Sequence, residues 1–153
     1  MSLMPSMIEL LARARVDLRM GLPVVLTGNG SAALAIAAES LTGQRLTDLR
    51  AIGEVSLALT ARRAETLKAR AYDTDIARLT VPTDVDRSWV RSLADPADDL
   101  KFPMKGPFNC QRVGSADLHR LAIALIKSAR LLPAALLVPI NDAASFASDH
   151  GLT

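Results

Sequence analysis

The sequence predicts one α/β (α+β) domain with a mixed central sheet flanked by helices. Three observations lead there. Short aliphatic and β-branched runs alternate with stretches of helical period. Half of the 153 residues are hydrophobic, enough for a single domain with its own core. Aromatic residues make up only 3%, so that core is built from Ala, Leu, Val and Ile.

Each element has its own signal. Met7, Leu10, Leu11, Ala14 and Leu18 share one helical stripe, with Glu9, Arg13 and Asp17 opposite. Ser6 suits the N-cap and Gly21 the stop. Pro23–Thr27, "PVVLT", reads as a strand. "GNGS" (Gly28–Ser31) carries turn chemistry, and Ala33–Ala37 reads as a second, buried strand, so the two form a hairpin. Thr42 caps a helix carrying Leu46, Leu49 and Ile52 that Gly53 ends. Val55–Thr60 is a third strand, followed directly by a short helix over Ala61–Ala69. Ala77–Thr83 is a strand whose Pro82 belongs at an edge or an end. Asp84–Asp95 is helical, with Trp89 and Leu93 four apart. Pro96–Gly114, rich in Pro and Gly, reads as a long functional or mobile loop. Ser115–Arg130 is the clearest helix: Leu118, Leu121, Ala122, Leu125 and Ala129 make its apolar face. Asp117 at its start and Lys127 and Arg130 at its end suit the helix dipole. Ala134–Ile140 is a buried strand. Asn141 or Asp142 then leads a helix closed by Gly151, and a further strand is expected after Thr153, as in a piece of a longer chain.

Composition removes several function classes. Eighteen basic and sixteen acidic residues leave a net charge of +2, which is no basic face, and the shortage of aromatics argues against stacking on single strands. No nucleic-acid partner is expected. No apolar run approaches the ~18 residues of a membrane span, and the start lacks the basic-then-apolar order of a signal peptide. Cys110 is the single cysteine, which fits a reducing cytoplasm.

Candidate motifs each have a plain reading beside the functional one. A glycine phosphate cradle must lead into a helix N-terminus; here a strand follows "GNGS", which favours a hairpin turn. Arg62, Arg63, Lys68 and Arg70 offer an anion site or, more simply, a solvated helix face. His119 flanks the apolar stripe, where packing outweighs catalysis. Cys110 lies nine residues before His119 with no orienting third group in view. Asp84, Asp86, Asp98 and Asp99 lack the spacing of a calcium loop.

The ordered set "ARVDLRMGLPVVLT", "AIAAESLT", "GEVSLALTARRAETL" and "LLPAALLVPINDAASFASDHGL" resembles 3,4-dihydroxy-2-butanone 4-phosphate synthase, a riboflavin-pathway enzyme. The likeness rests on Ala38-Glu39, on Thr60 with Arg62 and Arg63, and on Pro133 with Asn141-Asp142; it is weakest over residues 70–115. It implies the synthase fold and a homodimer with helices at the interface. It also marks two departures. Family members carry an acidic loop between the first two strands, whose Glu ligates magnesium. Here about Ser31 and Ala33 stand at the acidic positions, and no carboxylate lies between Thr27 and Glu39. The family's Arg-Gly-Gly-His-Thr-Glu segment is echoed by "RVGSADLH" (Arg112–His119) without its spacing. The resemblance thus implies a degenerate, non-catalytic domain of the kind fused N-terminal to GTP cyclohydrolase II, with no metal site and no cofactor. One alternative is an active magnesium-dependent lyase using Glu39, Asp117 and His119. Another is a phosphate- or nucleotide-sensing domain using Arg62, Arg63 and Arg112.

Overall fold

Asn29-Gly30 closes the first hairpin with positive φ at both positions (51° and 77°). That is the two-residue turn whose twist matches paired strands. It joins β1 (Val24–Gly28) to β2 (Ser31–Ala37). The structure, a computed structural model, describes residues 3–99, 108–111 and 114–153. Before the hairpin, α1 (Met7–Arg19) starts at a capping box, the Ser6 hydroxyl accepting from Glu9 N and the Glu9 carboxylate from Ser6 N. Gly21 follows with φ +85°; a Cβ there would lie 2.8 Å from the Ser40 carbonyl oxygen. The chain continues through α2 (Gly43–Ile52), β3 (Ser56–Thr60), α3 (Ala61–Leu67), β4 (Ile76–Thr80), α4 (Arg87–Ala94), a 3-10 turn, β5 (Cys110–Gln111), α5 (Asp117–Ser128), β6 (Ala134–Ile140) and α6 (Ala143–His150). Thr42, Asp86 and Asp142 cap their helices with side-chain oxygens.

The six strands lie in the order β1-β2-β6-β3-β4-β5. Every pairing among the described residues is antiparallel, where the strand–helix–strand rhythm predicts a mixed sheet. The reason is the position of β6. β2 and β3 do run in the same direction, joined by α2 as a crossover, but β6 enters between them and runs against both. No parallel pair is left in contact among the described residues.

The two faces of the sheet differ in bulk. Side chains alternate across it, and β6 shows the alternation most plainly. Ala135 and Leu137 join the core under α1 and α5. Ala134, Leu136 and Val138 join the core under α2, α3 and α4. The first face is paved largely with alanines (Ala33, Ala35, Ala37, Ala58, Ala135). The second carries Leu34, Ile36, Leu57, Leu59 and Leu136. With both faces covered, the strands read as continuous apolar runs rather than alternating ones.

Three sequence expectations shift in detail. Only Ala14 and Leu18 of the first stripe are buried; Met7 is 70% and Leu11 38% exposed. In α5 the buried set is Ala122, Ile123, Leu125 and Ile126, whereas Leu121 faces out. The stretch read as one long loop contains a two-residue strand, β5, paired to β4. Pro82 lies two residues past the end of β4, in keeping with the end position that the sequence allowed.

Candidate functional site

A cavity of about 270 Å³ opens where the first hairpin meets the start of α5. The hairpin contributes Gly28, Ser31 and Ala33, and α5 contributes Asp117, Leu118 and His119. Ser56 at the start of β3 and Leu137 and Pro139 of β6 also border it, with Glu54 and Gln111 nearby. The hairpin tip is tied to the helix by a hydrogen bond: Asn29 Nδ2 donates to Asp117 Oδ2 at 3.0 Å.

Asp117 has further neighbours. Arg120 Nη1 donates to its Oδ1 at 3.3 Å, and its own backbone N–H bonds the Ser115 hydroxyl at 3.2 Å. Ser115 thus serves a helix start whose N-cap, Ala116, has no side-chain acceptor. Arg120 also holds Asp75 through both carboxylate oxygens at 2.9–3.0 Å. That contact lowers the Asp75 carboxyl below its usual range.

His119 pairs through Nε2 with Ser56 Oγ at 2.9 Å. Its Nδ1 is buried with no hydrogen-bond partner among the described residues. Burial first, then the charge of Arg78, lowers its pKa from 6.5 to about 4, with Asp73 opposing. The imidazole is therefore neutral at physiological pH. Ser56 and His119 form a nucleophile–base pair by distance alone. The imidazole lacks the basicity, and among the described residues the orienting acceptor at Nδ1, that would make the pair a working dyad.

Arg78 of β4 supports this corner from beneath. Its guanidinium meets Asp73 at 2.8 and 3.3 Å and donates to the carbonyls of Ser115 at 3.3 Å and Gly114 at 3.4 Å. It fixes the segment that leads into α5.

Of the residues singled out in the sequence, Asp117 and His119 share the cavity and Ser31 and Ala33 border it. Glu39 does not join them. Its Oε2 accepts from Leu132 N at 2.8 Å, beyond the far end of β2, about 20 Å along an extended strand from Ser31. Arg63 is spent on Asp99 at 2.8 Å through two nitrogens and on the carbonyls of Leu93 and Ser92. Arg62 is exposed on α3. Arg112 lies outside the described residues. Ser56, Asp73, Arg78 and Asn29 were not legible as site residues. Arg78 alone left a trace, a charge inside an otherwise apolar strand.

Among solved structures, the cation-free form of 3,4-dihydroxy-2-butanone 4-phosphate synthase superposes on this chain with a TM-score of 0.69, at 18% identity, over 94% of this chain and 90% of that one. The chain has the fold of dihydroxybutanone phosphate synthase. The Candida albicans synthase matches at a TM-score of 0.66 and 18% identity, over 94% of this chain and 91% of that one. A two-domain synthase from A. baumannii matches at 0.69 and 16% identity, over 93% of this chain and 54% of that one. In sequence, this synthase-fold chain is 33% identical over 148 residues to GTP cyclohydrolase-2 of Azospirillum brasilense, covering 92% of this chain. It spans only 38% of the length of that curated relative. No family model matches the chain. No helix among the described residues is long and apolar enough to cross a membrane.

Proposed function

We propose that this chain is a non-catalytic synthase-fold domain of a riboflavin-pathway protein. In the full-length protein it stands N-terminal to a GTP cyclohydrolase II module in the cytoplasm, as a dimeric scaffold. The relative that carries the cyclohydrolase name, with this chain spanning 38% of it, supports the fused arrangement.

The observation that carries the non-catalytic reading is the Asn29-Gly30 turn. The synthase reaction draws on a hard cation held by carboxylates. At the bend where the resemblance places an acidic loop, this chain has a closed two-residue turn between Gly28 and Ser31. The donor set beside it does not fit magnesium. Both Asp117 oxygens are engaged, one by Asn29 and one by Arg120, and His119 Nε2 is engaged by Ser56. The lyase alternative keeps Asp117 and His119 together but loses Glu39 to the Leu132 amide.

The test is direct. The protein is incubated with ribulose 5-phosphate and Mg²⁺, and formate is assayed. Formate no higher than in a protein-free control is expected; formate above it overturns the reading. Light scattering tests the dimer, and a single-chain mass removes it.

A further inference from the structure

Helix α1 has two apolar faces, and a single chain covers only one of them. Ala14 and Leu18 turn inward and join the core of the alanine-paved face. The outward face is apolar as well. Seven of the ten large hydrophobic side chains left exposed among the described residues lie between Leu3 and Met20. Ile8 (78% exposed), Ala12 and Val16 recur every four residues, and the row continues to Met20 at the C-cap. Side chains four apart on a helix form one ridge. Met7 and Leu11 widen it near its start. Glu9 and Arg13, both exposed, border it on the other side. Arg15 and Arg19 are drawn aside towards the end of α5, donating to Ser128 Oγ at 3.1 Å and to the Ala129 carbonyl at 3.4 Å. A contiguous apolar face with a charged border marks an interaction surface.

Two features fit this surface to a second copy of itself. The ridge is symmetric about Ala12, with an aliphatic residue one turn to either side, Ile8 and Val16. Two such helices running in opposite directions about a two-fold axis set Ala12 against Ala12, where a small side chain lets the backbones approach, and Ile8 against the partner's Val16. The border charges are also self-complementary. In an opposed pair, like edges of the two helices meet, so Glu9 lies beside the partner's Arg13, and Arg13 beside the partner's Glu9. Glu9 commits one carboxylate oxygen, Oε1, to the Ser6 amide; its other oxygen accepts no hydrogen bond among the described residues. We propose that the outward face of α1, centred on Ala12, is the surface by which two copies of this chain pair in opposite directions, with the Glu9–Arg13 contact made twice. The inference rests on the dimer reading above and names the residues that make it.

Light scattering over a dilution series follows the assembly, and a two-chain mass is expected for the wild type. Ile8→Glu places a carboxylate in the seam of both copies and raises the dissociation constant by about a hundredfold or more. The exposure of Ile8 within one chain leaves the fold intact, which circular dichroism and the thermal midpoint verify. Arg13→Glu sets carboxylate against carboxylate at both borders; it weakens the pair by about tenfold, and added salt narrows that gap. Oxidation of Ala12→Cys links two chains through a disulfide, whereas the wild type, with Cys110 alone, stays unlinked. A wild type that remains a single chain at every concentration removes the dimer reading and this surface with it. A wild-type dimer that Ile8→Glu leaves unchanged, or that Ala12→Cys fails to link, overturns this surface alone and moves the dimer contact elsewhere on the molecule.

Discussion

Replacing Asp73 with Ala strands the guanidinium of Arg78 in the core. The Arg78 side chain is 3% exposed and that of Asp73 13%, so solvent screens the pair little. After the substitution the guanidinium keeps only the carbonyls of Ser115 and Gly114, at 3.3 and 3.4 Å. Breaking a buried ion pair from one side costs about 3–5 kcal/mol, because the remaining charge stays desolvated. A domain of this size has a total stability of about 5–15 kcal/mol. Each kcal/mol moves the thermal midpoint of a 150–250-residue chain by about 2–4 °C, so the midpoint of Asp73→Ala falls by roughly 6–20 °C. Urea denaturation and a thermal scan measure it. The paired change Arg78→Met with Asp73→Leu removes both charges and recovers most of the loss. A cost below about 1 kcal/mol, the value of an exposed pair, would refute the claim that this pair is a buried prop under the cavity.

Two other outcomes follow from the same coordinates. His119 titrates near 4 rather than 6.5, so between those values the unfolded chain binds a proton that the folded chain does not. Stability therefore declines as pH falls from about 6.5 towards 4, by on the order of 3 kcal/mol, and His119→Gln flattens that limb; an imidazole titration by NMR with a midpoint above 6 contradicts it. Gly21→Ala forces a Cβ into a φ of +85° and to 2.8 Å from the Ser40 carbonyl, which lowers the unfolding free energy by about 2 kcal/mol or more; an unchanged denaturation midpoint removes the argument.

What the sequence disclosed and what it hid divide along sequence distance. Ser6 with Glu9, Thr42 with Arg45, and the Asn29-Gly30 bend act within three residues of themselves, and their signals could be read directly. The strands could be read because their apolar runs are dense enough to be buried on both faces. The position of β6 had no local signal, since its neighbour β2 lies about a hundred residues earlier in the chain and its neighbour β3 about eighty, and with it went the expectation of a mixed sheet. The site was legible only by halves. Asp117 and His119 stand on one helix start and showed themselves as titratable groups. Ser56 is 63 residues from His119, and a serine opening an apolar strand carries no mark of the imidazole it meets. Asp73 is five residues from Arg78, yet the pairing needs the turn before β4. Glu39 misled because a carboxylate beside an apolar strand looks the same whether it serves chemistry or holds a backbone amide.

The placement of β6 also bears on how the chain is made. Strands β1 and β2 on one side and β3, β4 and β5 on the other have no hydrogen-bonded seam until residues 134–140 arrive between them. Until β6 docks between them, the two parts have open inner edges, the kind of surface that invites association with other chains. Closure by a strand this distant from both of its neighbours makes this a fold of long-range pairing, slow to assemble, with β6 as the keystone of the sheet.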